Sequence, residues 1–258
     1  PTNAVFGFVR AVEQVRRKLG PTHWMVAFDG GIPEMRLALV PAYKAQRPHM
    51  PEPMREQLPM INDYLDAAGV PRCLIDACEA DDVIATVVDR AAEDMDETVI
   101  VSGDKDLYQL VSDRVRISRS GAGDDMMDGA AVADKTGVAP ERIVEWLALV
   151  GDSSDNIEGV PGVGPKTAAR LLGLYGSLDA LWADPEGAAS QRGGAAVLAY
   201  RERVERNVRM VRLDRDIPGV PALEALAVRP ISVAALTAFY DHMEFDRLAR
   251  ELREPVLG

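Results

Sequence analysis

The chain has 258 residues, 47% hydrophobic and 27% charged, which allows a sizeable core in one large domain or two smaller ones and excludes intrinsic disorder. Its longest apolar runs, about five to ten residues, fall short of the roughly 20 a membrane span needs, and no signal peptide is visible, so a cytoplasmic chain without a membrane is expected. The net charge of −12, from 29 basic and 41 acidic residues, speaks as a total against a nucleic-acid partner, but nucleic acid answers to a local field, so the placement of the acids decides.

Residues 1–19 place Val5, Phe8, Val9, Val12 and Val15 at helical spacing, and Gly20-Pro21 stops the helix. Residues 23–28 (HWMVAF) read as a short buried strand ending in Asp29-Gly30-Gly31. Residues 32–59 hold six prolines with Arg36, Lys44, Arg47 and Arg55 among them, the pattern of a long, partly mobile excursion from the core. A helix over 54–68 and a strand over 73–75 follow. The helix over 79–92 opens with acids, where its dipole favours them. A third strand over 98–101 ends in Ser102-Gly103-Asp104; a helix starts at 105–111, and 115–118 reads as a fourth strand. This alternation predicts an α/β fold with a mostly parallel sheet and helices on both faces.

Beyond about residue 134 the strands stop. Helices are expected over 141–150, 166–174, 195–209 and 232–252. The organisation expected is an α/β core over 1–133, including the Pro-rich excursion, and a helical region over 134–258, packed as one unit. No internal repeat is visible. Cys73 and Cys78 lack zinc-site spacing and read as reduced thiols.

Four acidic groups stand out: Asp29 after the first strand; Glu79, Asp81 and Asp82 at a helix start; Asp104 and Asp106 after the third strand; and Asp152 and Asp155 at the end of an apolar helix. Ligands of parallel α/β sheets bind beyond the carboxyl ends of the strands, where Asp29 and Asp104 fall. Glu79 and Asp82 share a helix face at i, i+3, and Asp152 and Asp155 repeat that spacing. Taken singly, each is often a cap or turn residue. Together, converging carboxylates repel unless cations neutralise them, and hard oxygen ligands select Mg²⁺ or Mn²⁺. Two such ions form a device for phosphodiester cleavage.

The run Gly159-Val-Pro-Gly162-Val-Gly164-Pro-Lys166-Thr167-Ala-Ala-Arg170 sets a glycine turn between two helices, presenting backbone N–H groups to a phosphate, with Lys166 and Arg170 alongside. A plain packing turn is the alternative. It is not a nucleotide phosphate loop, because the four-residue gap and the preceding strand are missing. In Tyr43-Lys44-Ala-Gln-Arg47 the cations could neutralise a scissile phosphate and Tyr43 could stack on a base; a solvated surface loop is the alternative.

The segments FDGG, YKAQRPHMP, EADDVIATV, SGDKDLYQLV, LVGDSSDNIEGVPGVGPKTAARLL and EFDRLAREL, in that order, resemble the 5′ nuclease domain of bacterial DNA polymerase I and its stand-alone flap-endonuclease relatives. The resemblance implies a PIN-like or resolvase-like core and a structure-selective 5′→3′ exonuclease and flap endonuclease acting on flapped, branched or nicked DNA in replication and repair. It implies a monomer in the bacterial nucleoid, with a functional link to DNA polymerase I. It assigns Asp29, Glu79, Asp81, Asp82 and Asp104 to a first metal cluster and Asp106, Asp152 and Asp155 to a second, with two or more Mg²⁺ or Mn²⁺ ions. Lys44 and Arg47 become catalytic phosphate contacts, and Arg36 and Tyr43 arch residues engaging the 5′ strand. Gly162, Gly164, Lys166, Thr167 and Arg170 fall in a helix–three-turn–helix clamp over 159–174 that takes a K⁺ ion.

The family begins with a strand carrying a metal-binding Asp, ahead of the Thr2-Asn3-Ala4-Val5 helix. The sequence given starts at Pro1, and the natural protein is expected to have that strand. If it lacks the strand, a catalytically impaired flap-DNA binding protein is the alternative. A PIN-type ribonuclease is a third reading; the long excursion and the glycine clamp speak against it.

Overall fold

Helix α1 (Asn3–Leu19) buries Val5, Val9 and Val12 along one stripe. Its own N-cap side chain makes no hydrogen bond; instead the amides of Ala4 and Val5 donate to Oε1 of the buried Gln57, at 2.9 and 3.3 Å. Gly20 ends α1 at φ 54°. These features come from a computed structural model that describes residues 2–123 and 125–253.

The Pro-rich stretch folds into short helices joined by turns. Strand β1 (Val26–Phe28) leads to α2 (Glu34–Leu39), a run of turns, α3 (Glu52–Arg55) and α4 (Leu58–Ala68). Polar contacts tie the turns over residues 42–47 onto residues 153–156: the Lys44 amide donates to the Asp155 carbonyl at 3.1 Å, Gln46 to Ser153 at 2.8 Å, and Asn156 to the Ala42 carbonyl at 2.7 Å. Lys44 takes the left-handed conformation, φ 54°, that this docking needs.

Strand β2 (Arg72–Leu74) pairs in parallel with β1, Ala27 opposite Cys73. Helix α5 (Ala80–Ala91) follows, then β3 (Thr98–Val101), a 3₁₀ helix over Asp106–Leu110 where a helix was expected to start, and β4 (Val115–Ser118) parallel to β3. Strand β5 (Met126–Met127) adds antiparallel to β4. The expected single sheet is thus two parallel pairs. Among the described residues no ladder joins β1 to β3, and α5 packs against both.

Helices α6 (Gly129–Thr136) and α7 (Ile143–Val150) precede a feature unforeseen past residue 134: two short antiparallel strands, β6 (Gly151–Asp152) and β7 (Ile157–Glu158). They close the loop carrying Asp152 and Asp155. The closure requires glycine at both its ends. A Cβ on Gly151 would lie 2.3 Å from the Gly159 nitrogen, and one on Gly159 2.1 Å from the Val150 oxygen. The rest is helical: α8 (Pro165–Tyr175), α9 (Leu178–Ala183), α10 (Pro185–Ser190), α11 (Gly194–Ala199), α12 (Arg201–Val211), α13 (Val233–His242) and α14 (Asp246–Arg253). The single helix expected over 195–209 breaks at Tyr200, and that over 232–252 breaks where Glu244 turns left-handed so that Phe245 can be buried.

One apolar core joins β3, β4, α7, α8 and α12; a second joins α1 and α4 to α13 and α14 around Tyr64, Phe239 and Tyr240. The chain's last helices therefore pack on its first. Cys73 and Cys78 are free thiols, both shifted up by burial. No described helix is long and apolar enough to cross a membrane.

Candidate metal centre

The strand ends and helix starts deliver their acids to one cavity of about 140 Å³, lined by Asp29, Glu79, Asp81, Asp104, Asp106 and Asp155 together with Arg36, Tyr43, Lys44 and Arg47. Asp29, just past β1, accepts from the Ala80 amide at 2.9 Å and so ties the strand to the start of α5. Glu79 is the residue before α5, and Asp81 lies in its first turn. Asp104 accepts from the Asp106 amide at 2.9 Å, a short turn that aims both carboxylates after β3.

The tightest grouping is Asp106, Asp152 and Asp155, one oxygen from each lying within 4.8 Å of the others. Oxygens sharing one Mg²⁺ or Mn²⁺ at about 2.1 Å stand about 3 to 4 Å apart, so a slight contraction would seat an ion. Asp106 Oδ1 is buried without a hydrogen-bond partner. Such an oxygen is costly to keep ionised unless a cation meets it. Burial, then the charges of Asp104 and Asp152 against the opposing pull of Lys105, pushes Asp106 up to about 7. Burial and the charges of Asp104 and Asp29 push Asp81 up to about 6. Asp152 goes the other way. Burial would raise it, but hydrogen bonds from Lys105 and Ser154 outweigh that and hold it below the usual carboxylate range. The donor set, all carboxylate oxygen, fits a hard divalent cation.

The remaining acids are answered by cations of the Pro-rich stretch. Arg36 forks onto Asp82 with two N–O distances of 2.8 Å, contacts Glu79, and donates from Nε to the Met210 carbonyl at 3.2 Å. The Tyr43 hydroxyl sits between Glu79, at 3.2 Å, and Asp155, at 3.1 Å; burial, then the Asp155 charge, drives it far above its ordinary range. Lys44 contacts Glu79 and stands 3.7 Å from Asp155, which Arg47 also contacts.

The glycine turn begins at Gly159, directly after β7 and close along the chain to Asp155. Val160 and Val163 anchor it in the core, Gly162 sits at φ 78° with open space around it, and Lys166 and Arg170 are exposed on α8. Arg170 is partly spent on the Gln191 side chain at 3.0 Å and the Arg192 carbonyl at 2.6 Å, and the Thr167 methyl faces Gly193.

Residues 1–137 match the family model described as the 5′-3′ exonuclease N-terminal resolvase-like domain, and residues 138–234 that of the 5′-3′ exonuclease C-terminal SAM fold. The chain belongs to the 5′-3′ exonuclease family. A 5′-3′ exonuclease of Aquifex aeolicus is 34% identical over 252 residues, covering 98% of this chain and 86% of that relative. DNA polymerase I of Bacillus caldotenax is 32% identical over 257 residues, 98% of this chain but 29% of the polymerase, so the chain spans under a third of such relatives. Among solved structures, the zinc-bound T5 5′-exonuclease is similar at TM-score 0.68 and 23% identity, covering 95% of this chain and 91% of that one. The catalytic core of Rad2 in complex with DNA substrate is similar at TM-score 0.62 and 15% identity, covering 97% and 84%. Both share the fold.

Within this exonuclease fold the expected site residues separate into three kinds. Asp29, Glu79, Asp81, Asp104, Asp106 and Asp155 meet at one cavity, with Asp152 beside Asp106 and Asp155. Asp82, expected as a ligand, is 1% exposed; Arg36 donates to both its oxygens, and the Asp214 amide donates to Oδ1 at 2.9 Å. Arg36 and Tyr43, expected to engage DNA, are 3% and 4% exposed, because buried carboxylates draw them inward. The residue the sequence reading missed is Lys105, whose Nζ lies 2.5 Å from Asp152 Oδ2. Its signal was plain in Asp104-Lys105-Asp106: a cation placed between two expected ligands.

Proposed function

We propose that this chain is a divalent-metal-dependent 5′→3′ exonuclease and flap endonuclease that hydrolyses phosphodiesters of flapped, branched or nicked DNA. The observation that carries the reading is the convergence of Asp106 with Asp152 and Asp155 around a buried, partnerless oxygen, beside Asp29, Glu79, Asp81 and Asp104. Bound Mg²⁺ or Mn²⁺ would supply an activated water and neutralise the leaving oxygen. The chain's own part is positional. Asp106, Asp152 and Asp155 hold one ion, and Asp29, Glu79, Asp81 and Asp104 a second. Arg36 and Asp82 brace the start of α5 beneath them. Lys44 and Arg47, at the cavity's rim, turn from carboxylates to the scissile phosphate when DNA arrives.

The turn around Gly162 and Gly164, with Lys166 and Arg170, grips the duplex backbone without reading its sequence, with a K⁺ ion as its partner. The enzyme works as a monomer in the bacterial cytoplasm, in the nucleoid, on intermediates that DNA polymerase I also handles. The test is a 5′-flap duplex incubated with the protein and Mn²⁺ or Mg²⁺, with a chelator arm and a matched RNA flap. Metal-dependent release of the DNA flap is expected. Binding without cleavage, in a protein carrying the family's N-terminal strand, would leave a DNA-binding protein, and preference for the RNA flap a ribonuclease.

A further inference from the structure

Asp152 has two carboxylate oxygens with different duties. Oδ1 accepts from both the amide and the hydroxyl of Ser154, so it is committed to holding its own loop. Oδ2 is the oxygen left for an ion, and Lys105 Nζ stands on it at 2.5 Å. The same ammonium lies 3.7 Å from Asp106 Oδ1, the buried oxygen that has no hydrogen-bond partner. A single monovalent cation therefore faces the two oxygens that a divalent ion between Asp106 and Asp152 would need.

Lys105 differs from the other cations at the site. Lys44 and Arg47 belong to the Pro-rich stretch and pair with Asp155. Lys105 sits between Asp104 and Asp106, on the backbone turn that presents two carboxylates, so it stays beside the cluster whatever that stretch does. Its side chain is 37% exposed, so it has solvent to move into when displaced.

We propose that Lys105 is the internal counter-cation of the Asp106–Asp152–Asp155 cluster and sets its divalent-ion affinity by competing for Asp152 Oδ2. The inference rests on the metal-dependent reading above, but concerns binding rather than cleavage. With the ammonium in place the carboxylates are partly neutralised and the fold is relieved of their repulsion. The ion must then displace a bound charge as well as shed water, which weakens its apparent affinity. The cluster is kept stable without an ion and loads only when the ion is abundant enough to win.

The test is Mn²⁺ binding to the full chain by calorimetry and electron paramagnetic resonance, in wild type, Lys105→Met and Lys105→Arg, with the exposed Lys18→Met as a charge control. Lys105→Met should bind the Mn²⁺ of the Asp106–Asp152–Asp155 cluster about tenfold more tightly, and should melt lower than wild type in chelator but recover in Mn²⁺. Lys105→Arg should restore an affinity close to wild type, and Lys18→Met should match it. Unchanged or weaker Mn²⁺ binding by Lys105→Met, in a protein whose melting confirms it is folded, overturns the competition while leaving the nuclease reading intact. A wild type that binds no Mn²⁺ overturns both.

Discussion

The Arg36 guanidinium meets the Asp82 carboxylate edge to edge, two N–O distances of 2.8 Å, with the side chains only 4% and 2% exposed. The pair joins α2 to α5, and Arg36 adds bonds to the carbonyls of Met210 and, at 3.5 Å, Arg212, beyond which the chain leaves α12. Breaking one half of a buried pair strands the other charge and costs about 3–5 kcal/mol. In a chain this long that lowers the melting temperature by about 10 °C. Arg36→Met should show this loss, and Asp82→Asn a smaller one, with Mn²⁺ binding retained by Asp82→Asn. Scanning fluorimetry and calorimetry check both. A stable Asp82→Asn that has lost Mn²⁺ would make Asp82 a ligand after all.

That pair also marks where the sequence ceased to be legible. The acids could be placed because strand ends and helix starts are local signals, and Asp29, Glu79, Asp104 and Asp155 arrive at one cavity from four elements. Arg36 could not, because its surroundings are Glu79 and Asp82, 43 and 46 residues further on. Nothing near Arg36 distinguishes a buried fork from a solvated cation in a Pro-rich loop. The strand pair β6–β7 was hidden for a similar reason. Two residues a side carry no periodicity, and only the close approach of Gly151 to Gly159 reveals it.

Asp106 is the ligand whose loss is cleanest to read. It supplies the partnerless oxygen, whereas Asp155 also holds Tyr43 and Arg47, so changing Asp155 would loosen the Pro-rich stretch too. Asp106→Asn keeps the shape and removes the charge. Release of a 5′ flap in Mn²⁺ should fall at least about 100-fold. Flap affinity, measured by anisotropy, should stay within about threefold, since the clamp residues are untouched. Full cleavage by the variant would remove this cluster from the chemistry.

The two raised carboxyls give stability a definite slope with pH. Asp106 at about 7 and Asp81 at about 6 both stand above the value near 4 they would have in the unfolded chain. Between those values the unfolded chain has already lost protons that the folded chain keeps. Stability therefore falls as pH rises from about 4 to about 7, then levels. Asp152, shifted the other way, loses its contribution only in acid below that window. Melting in chelator should accordingly drop between pH 5 and pH 8. Saturating Mn²⁺, which favours the ionised carboxylates, should flatten or reverse the slope. A chelated protein that becomes more stable over this range would contradict the burial of both groups.

The clamp makes a prediction that separates holding DNA from cutting it. Lys166 is exposed at the start of α8, and the structure gives it no ion pair among the described residues. Its contribution to DNA binding would then be that of one phosphate contact, independent of sequence. Lys166→Ala should weaken binding of flapped and plain duplexes alike. It should also flatten the dependence of log affinity on log salt by about one unit. Cleavage at saturating enzyme should be nearly unchanged, because Lys166 does not line the cavity that holds the carboxylates. Gly162→Ala offers a second reading of the same turn. The position has room for a methyl group, but its φ of 78° disfavours one, so the turn should shift while Val160 and Val163 keep the helices packed. Weaker duplex binding with a near-native melting temperature is expected. A Lys166→Ala protein that keeps both affinity and salt slope would mean that α8 faces away from the DNA.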